Sequence, residues 1–140
     1  MTRTSVRTQI DTSAAPPAIG PYSQAIRAGS LIFVAGQLGA DPATGELAEG
    51  AAAQAERALL NLTAILDAAG ATMDRVVKTT VFLSDMANFA TVNEAYARHF
   101  PSPYPARSTF AVRELPRGGL VEIEAIARRP IADAISDRRA

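Results

Sequence analysis

The sequence contains no cysteine and a single histidine, His99, and each scarcity excludes a class of chemistry. Without cysteine, the chain has no disulfide, no thiolate nucleophile, no iron–sulfur cluster and no cysteine-ligated zinc. One imidazole cannot supply a multi-histidine metal site or a repeated proton relay within one chain. We therefore expect no metal centre.

The sequence also lacks a net charge and a long apolar run. Fourteen basic and fourteen acidic residues cancel, so no global field attracts nucleic acid or an anionic membrane. No segment approaches the ~18 uninterrupted apolar residues of a membrane span. The first 17 residues lack the apolar core of a secretory signal. We expect a cytoplasmic protein that has neither a membrane nor a nucleic acid as its partner.

What the sequence does contain is enough apolar material for one core. It has 140 residues, of which 48% are hydrophobic and 20% are charged, and these values exclude general disorder. A chain of this length buries roughly two-thirds of its unfolded surface without needing covalent staples. We predict a single domain over residues 1–130, followed by a short C-terminal tail over residues 131–140.

The periodicity of apolar residues predicts an α+β fold with the order β-β-β-α-β-α-β-β. The predicted strands are Thr4–Ile10, Ser23–Ala28, Leu31–Leu38, Val76–Leu83, Ala106–Leu115 and Gly119–Arg128, and the predicted helices are Gly50–Ala69 and Asp85–Phe100. Two helices cover only one face of a mixed six-stranded sheet. The opposite face must contact something else, which favours self-association.

The last predicted strand places two carboxylates on the face opposite to the helices. Strand alternation puts Glu122 and Glu124 on that face, where burial without partners is unfavourable. Arg107, at the start of what we expect to be the neighbouring strand, is a natural counterpart because a guanidinium binds a carboxylate bidentately. Two plainer interpretations remain open: a solvated charged face, and an ordinary surface arginine.

Three other positions carry predictions from their local context. Gly36 lies within an apolar strand, which predicts a β-bulge or a close approach to the backbone. Asn93 lies beside the apolar stripe of the second helix, which predicts a buried hydrogen bond. His99, near the end of that helix, is expected to contact the negative end of the helix dipole or to face solvent.

Six segments together resemble the RidA family, also called the YjgF family. They are IGPYSQA (19–25), VAGQLG (34–39), VVKTTVFLSDM (76–86), FATVNEAY (89–96), PARSTF (105–110) and VEIEAIA (121–127). The resemblance covers about residues 5–129. It implies a fold like that of chorismate mutase and a homotrimer whose exposed sheet faces form a central barrel. The resemblance also implies active sites in the clefts between subunits.

The resemblance implies hydrolysis of reactive 2-imino acids, such as 2-iminopropanoate and 2-iminobutanoate, to 2-keto acids and ammonia. This activity protects pyridoxal-phosphate enzymes and uses no cofactor. The implied catalytic residues are Glu122, which orients and partly deprotonates a water, and Tyr22, which closes the pocket. The implied substrate-binding residues are Arg107, which holds the carboxylate, the backbones of Gly36 and Thr109, and Asn93.

Two positions depart from the family pattern. Many deaminating members have cysteine where this chain has Thr109, and serine where it has Ala35. A backbone role survives the first change, whereas loss of the serine hydroxyl alters affinity or substrate preference. Two other functions remain open: an endoribonuclease, and a ligand-sensing or chaperone-like trimer without catalysis. Zero net charge and 6% aromatic residues argue against RNA cleavage.

Overall fold

The computed structural model describes residues 6–130, which form a six-stranded sheet and two α-helices. Residues 4 and 5 of the first predicted strand, and the predicted tail over 131–140, lie outside the described residues. The strands are β1 (Thr8–Ile10), β2 (Ala25–Ala28), β3 (Leu31–Leu38), β4 (Val76–Leu83), β5 (Ala106–Ala111) and β6 (Val121–Arg128), and the helices are α1 (Gly50–Ala68) and α2 (Phe89–His99). This order confirms the predicted β-β-β-α-β-α-β-β arrangement.

The sheet is mixed, and its strand order is β1-β2-β3-β6-β4-β5. All neighbouring strands are antiparallel except β4 and β5, which are parallel. The prediction that β5 and β6 are neighbours is wrong, because β4 lies between them. The physical reason is the βαβ unit formed by β4, α2 and β5: a helical crossover returns the chain parallel to the strand it left.

The second helix begins at Phe89, four residues later than its predicted start at Asp85. A 3₁₀ turn, Met86–Asn88, precedes α2, and the Asp85 carboxylate accepts a hydrogen bond from the Ala87 backbone N–H at 2.9 Å. Asp85 therefore caps this turn and not the α-helix itself. The later start makes Phe89 the first residue of α2.

The two faces of the sheet differ in what covers them. Alternate residues of β6 point under the helices and are almost fully buried; they are Val121, Ile123, Ala125 and Ala127. The opposite face, which we call the open face, keeps large apolar side chains in solvent, with Phe33 42% and Phe110 45% exposed. The predicted one-sided coverage by helices is confirmed. No helix among the described residues combines the length and apolar character needed to cross a bilayer.

Candidate active site

Glu122 lies on the open face and packs directly against the backbone of β3. The register between β3 and β6 shifts between Val34 and Gln37, so Gly36 sits in a β-bulge. A Cβ at Gly36 would lie 2.9 Å from Cδ of Glu122 and 3.2 Å from its Oε1. Both predictions for Gly36 are confirmed: the strand is irregular there, and a side chain approaches its backbone closely. Glycine is required at this position for Glu122 to occupy its place.

The environment of Glu122 favours its protonated form. Burial raises the pKa of the Glu122 carboxyl above its ordinary value, and the nearby negative charge of Glu124 raises this pKa further. Neither carboxylate forms an ion pair with another of the described residues. A half-buried carboxylate with a raised pKa is a stronger base than an exposed one, and this property suits a group that takes a proton from water.

Tyr22 lies across a cavity of about 360 Å³ from Glu122. Its loop is held by the buried side chain of Gln24. The Gln24 amide oxygen accepts a hydrogen bond from the Thr12 backbone N–H, and the Gln24 amide nitrogen donates to the backbone carbonyls of Thr12 and Pro16. The Tyr22 side chain is 52% exposed, and its hydroxyl accepts from the Ile19 backbone N–H at 3.4 Å. The cavity thus brings together three predicted residues: Tyr22, Gly36 and Glu122.

Arg107 occupies a second cavity, of about 420 Å³, at the edge of the sheet. This cavity is also lined by Asn93, Tyr96, Tyr104 and Pro105. The guanidinium carbon of Arg107 lies 4.7 Å from the centroid of the Tyr96 ring, and it forms no hydrogen bond or ion pair with the rest of residues 6–130. Its N–H donors are therefore available to an external carboxylate.

The two cavities lie on opposite faces of the sheet. Arg107 is in register with Thr79, a buried residue on the helix face, whereas Glu122 is in register with Phe82 on the open face. The prediction that Arg107 neutralises the carboxylates of β6 is therefore wrong within one chain. Strand β4 lies between β5, which carries Arg107, and β6, which carries Glu122. The two side chains point to opposite faces of the sheet, because alternate residues of a strand do so.

Two further predicted residues belong to the Arg107 side. Thr109, two residues along β5, faces the same way as Arg107, and its hydroxyl is buried without a hydrogen-bond partner among residues 6–130. Asn93 lines the Arg107 cavity, but it is exposed, so the expectation of a buried hydrogen bond is wrong. Its position beside the apolar stripe puts it at the rim of the helix–sheet contact, where water reaches it.

His99 has a different role from those considered. Its Nε2 lies 2.9 Å from Oε2 of Glu56, so it links the end of α2 to α1. Among residues 6–130, no group of three or more His, Cys, Asp or Glu side chains is placed to hold a metal ion.

Sequence reasoning missed Tyr96 as part of the site. Tyr96 is 4% exposed, and its hydroxyl shares a 2.6 Å hydrogen bond with Oγ1 of Thr79. Burial raises the pKa of the Tyr96 phenol, although the Thr79 hydrogen bond and the charge of Arg107 oppose this effect. The available signal was the apolar stripe of α2, which contains both Phe89 and Tyr96. That pattern indicates burial, and it does not reveal which cation lies over the rings.

This chain is similar in sequence and in structure to known proteins. The family model described as endoribonuclease L-PSP matches residues 12–129. The RutC family protein y4sK of Sinorhizobium fredii is 53% identical over 118 residues, covering 84% of this chain and 94% of that protein. The 2-iminobutanoate/2-iminopropanoate deaminase of Bos taurus is 52% identical over 123 residues, covering 87% and 90%.

Solved structures show the same similarity. The crystal structure of RidA from the Antarctic bacterium Psychrobacter sp. superposes with a TM-score of 0.85 at 47% sequence identity. The match covers 86% of this chain and 98% of that chain. The similarity therefore extends over most of the fold described above.

Proposed function

This chain belongs to the endoribonuclease L-PSP family, also called the RidA or YjgF family, and on that premise we propose that it hydrolyses 2-imino acids. The products are 2-keto acids and ammonia, and the substrates include 2-iminopropanoate and 2-iminobutanoate. Relatives about 50% identical over 87% of the chain are named 2-iminobutanoate/2-iminopropanoate deaminase. The protein is an enzyme that acts in the cytoplasm and protects pyridoxal-phosphate enzymes from reactive imines.

The single observation that carries this proposal is the unneutralised guanidinium of Arg107. It lines a cavity, and no carboxylate among residues 6–130 pairs with it. The planar guanidinium group can donate two parallel hydrogen bonds to the carboxylate that every 2-imino acid carries. Substrate binding then supplies the negative charge that the protein itself does not place there.

The chemical step belongs to Glu122. Its carboxylate orients a water and takes a proton from it as the water oxygen bonds to the imine carbon. The amine of the resulting carbinolamine then takes up this proton from Glu122, its C–N bond breaks to release ammonia, and loss of the hydroxyl proton leaves the carbonyl of the 2-keto acid. A protonated imine is already a good electrophile, so positioning supplies much of the rate and no cofactor is needed.

The remaining site residues hold and enclose the substrate. The backbones of Gly36 and Thr109 contact the imine end, and Asn93 borders the carboxylate pocket. Tyr22 closes the pocket over the substrate. Ala35, which carries no hydroxyl beside Gly36, changes affinity or substrate preference without removing a catalytic group.

A complete site requires two copies of the chain. Arg107 and Glu122 lie on opposite faces of one sheet, so a substrate held by the first cannot reach the second in the same protomer. We propose that Arg107 of one copy meets Glu122 of the next, in a homotrimer whose open faces line a central barrel. Cyclic closure of this head-to-tail contact buries Phe33 and Phe110, which one chain leaves exposed.

The test is the decay of freshly generated 2-iminobutanoate with and without the protein. The account predicts that catalytic amounts accelerate the decay and that ammonia and 2-oxobutanoate appear in equal amounts. The matched control is Glu122→Gln at the same concentration. An unchanged decay rate contradicts the proposal. Binding of 2-oxobutanoate without turnover supports the ligand-sensing alternative, and cleavage of RNA in a parallel assay supports the endoribonuclease alternative.

A further inference from the structure

We propose that Tyr96, with Phe89, is a positioning residue that fixes the Arg107 guanidinium in the orientation that receives the substrate carboxylate. The proposal rests on the proposed function, because it concerns the anchor of that same site. It adds to this site an aromatic surface, which we call the arginine platform and define as the rings of Phe89 and Tyr96.

Both rings of the platform belong to α2, the helix that connects β4 to β5. The Arg107 guanidinium carbon lies 4.7 Å from the Tyr96 ring centroid and 5.8 Å from the Phe89 ring centroid. Both distances are within the range of a cation–π contact. Phe89 and Tyr96 are seven residues apart on α2, which places their side chains on the same face of the helix two turns apart.

The Tyr96 ring is itself held at two sides. Its hydroxyl shares a 2.6 Å hydrogen bond with the buried Oγ1 of Thr79 on β4. Its ring centroid lies 4.5 Å from that of Phe100. A ring fixed in this way presents its face to Arg107 in one orientation, so it can impose an orientation on a long and flexible side chain.

An aromatic surface suits this purpose better than an acidic partner. A carboxylate would occupy the N–H donors of Arg107 and cancel its charge, and it would then compete with the substrate. A ring face attracts the cation through its quadrupole and leaves the donors in the guanidinium plane available. Because burial raises the pKa of the Tyr96 phenol, this residue stays neutral at physiological pH and adds no competing charge.

Loss of the arginine platform is therefore expected to affect substrate affinity and the chemical step differently. Immobilising a side chain before the ligand arrives lowers the entropic cost of binding. Loss of the platform therefore weakens the affinity for the substrate carboxylate, whereas kcat, which depends on Glu122 on the other face, changes little.

The experiment compares Tyr96→Leu and Tyr96→Phe, with Val92→Ala as the matched control. Val92 is another buried apolar residue of α2, and it does not line the Arg107 cavity. The first measurement is ¹⁵N relaxation of the Arg107 Nε–Hε group in the ligand-free protein. The second is the affinity for 2-oxobutanoate, measured by calorimetry, together with kcat and KM for 2-iminobutanoate.

We expect Tyr96→Leu to make the Arg107 Nε–Hε group mobile and to weaken 2-oxobutanoate binding about 3- to 30-fold, the range of a partly desolvated cation–π contact. KM rises in parallel, and kcat stays within about twofold. Tyr96→Phe keeps the ring, so its affinity stays within about threefold of the unsubstituted protein. Val92→Ala leaves Arg107 ordered and the affinity unchanged. On an Arg107→Ala background, Tyr96→Leu has no further effect on affinity, as expected of a residue that acts through Arg107.

Equal mobility of Arg107 in the unsubstituted protein and in Tyr96→Leu overturns the proposal. Unchanged affinity in Tyr96→Leu, or an equal loss in Val92→Ala, also overturns it. Failure of the proposed function has a different signature: the unsubstituted protein neither binds 2-oxobutanoate nor hydrolyses the imine. The relaxation measurement, which needs no ligand, then still decides whether Tyr96 fixes Arg107.

Discussion

At the scale of single residues, the proposed chemistry depends on Glu122 acting as a base. Glu122→Gln keeps the shape of the side chain and one acceptor oxygen but removes its basicity. We expect imine hydrolysis to fall by about 100-fold or more, the usual contribution of a positioned acid–base group. Affinity for 2-oxobutanoate should change little, because Arg107 holds the carboxylate. Steady-state kinetics and calorimetry on the same preparation check both parts, and full activity would mean that backbone groups alone hold the water.

The second residue-scale prediction concerns the geometry of the anchor. Arg107→Lys retains the positive charge but loses the planar fork that contacts both carboxylate oxygens. Loss of a charge-assisted hydrogen bond costs roughly 1.5–3 kcal/mol, which corresponds to about 10- to 100-fold weaker binding of 2-keto acids. Calorimetric titration with 2-oxobutanoate measures the change. Equal affinity in this variant would assign the anchor to another residue.

The pH profile provides a third test at the residue scale. Because the folded-state pKa of Glu122 is raised above its ordinary value of 4.5, the acidic limb of kcat/KM should lie above pH 4.5. Activity rises with pH there, because the base must be ionised. Glu124→Gln removes the second cause of the shift, so the limb should move to lower pH and remain above 4.5, since burial is the larger cause. An unmoved limb would show that Glu122 does not control this ionisation.

The same shift sets the sign of a stability effect. A carboxyl group whose pKa is raised by folding favours the folded state below its unfolded pKa, and this contribution is lost as pH rises through the folded pKa. Glu122 therefore opposes folding at neutral pH in the isolated chain. Such a cost is consistent with a residue retained for chemistry.

At the scale of elements, the bulge in β3 is what admits Glu122 to its position. Gly36→Ala would place a Cβ 2.9 Å from Cδ of Glu122 and displace the carboxylate. A misplacement of a catalytic group by about 1 Å can reduce activity by about 100-fold. The matched control is Gly29→Ala, where φ is +59° and nothing lies within 4 Å, so only backbone strain is introduced. Thermal melts and imine kinetics on both variants separate the two effects, and equal activity in both would contradict the role of Gly36.

Much of this architecture could be predicted from the sequence because its signals are local. The stripe of α1, the β-branched run of β4 and the glycine turn between β2 and β3 each specify an element without reference to the rest of the chain. The order of the strands was only partly predictable. The crossover β4–α2–β5 indicates that β4 and β5 are parallel. That β4 lies between β5 and β6 could not be predicted, because it depends on packing between segments that are distant in sequence.

The site was less predictable for the same reason. A glycine in an apolar strand predicted a bulge or a close approach at Gly36, but not that Glu122 is the side chain that approaches it. The pairing of Arg107 with the rings of Phe89 and Tyr96 joins separate elements and was not predicted either. The mistaken pairing of Arg107 with Glu122 arose from assuming that consecutive strands are neighbours. Their placement on opposite faces requires the register of β4 with both of its partners.

At the scale of the whole molecule, the proposed mechanism requires that neighbouring copies of the chain share each active site. Three chains of 14.7 kDa amount to 44.1 kDa, which light scattering can distinguish from a monomer. The mass alone does not show that the sites are shared. That question is answered by combining two inactive variants whose defects lie in different halves of the site.

The most direct measurement of the central claim is therefore complementation between Arg107→Ala and Glu122→Gln. The two variants, each inactive alone, are mixed in equal amounts, unfolded and refolded together, and assayed for hydrolysis of 2-iminobutanoate. In a cyclic trimer with shared sites, random assembly gives about a quarter of the sites an intact arginine from one copy and an intact glutamate from the next. The account predicts recovery of about a quarter of the unsubstituted activity. The account is contradicted if the mixture stays inactive while the unsubstituted protein, refolded in the same way, regains its activity.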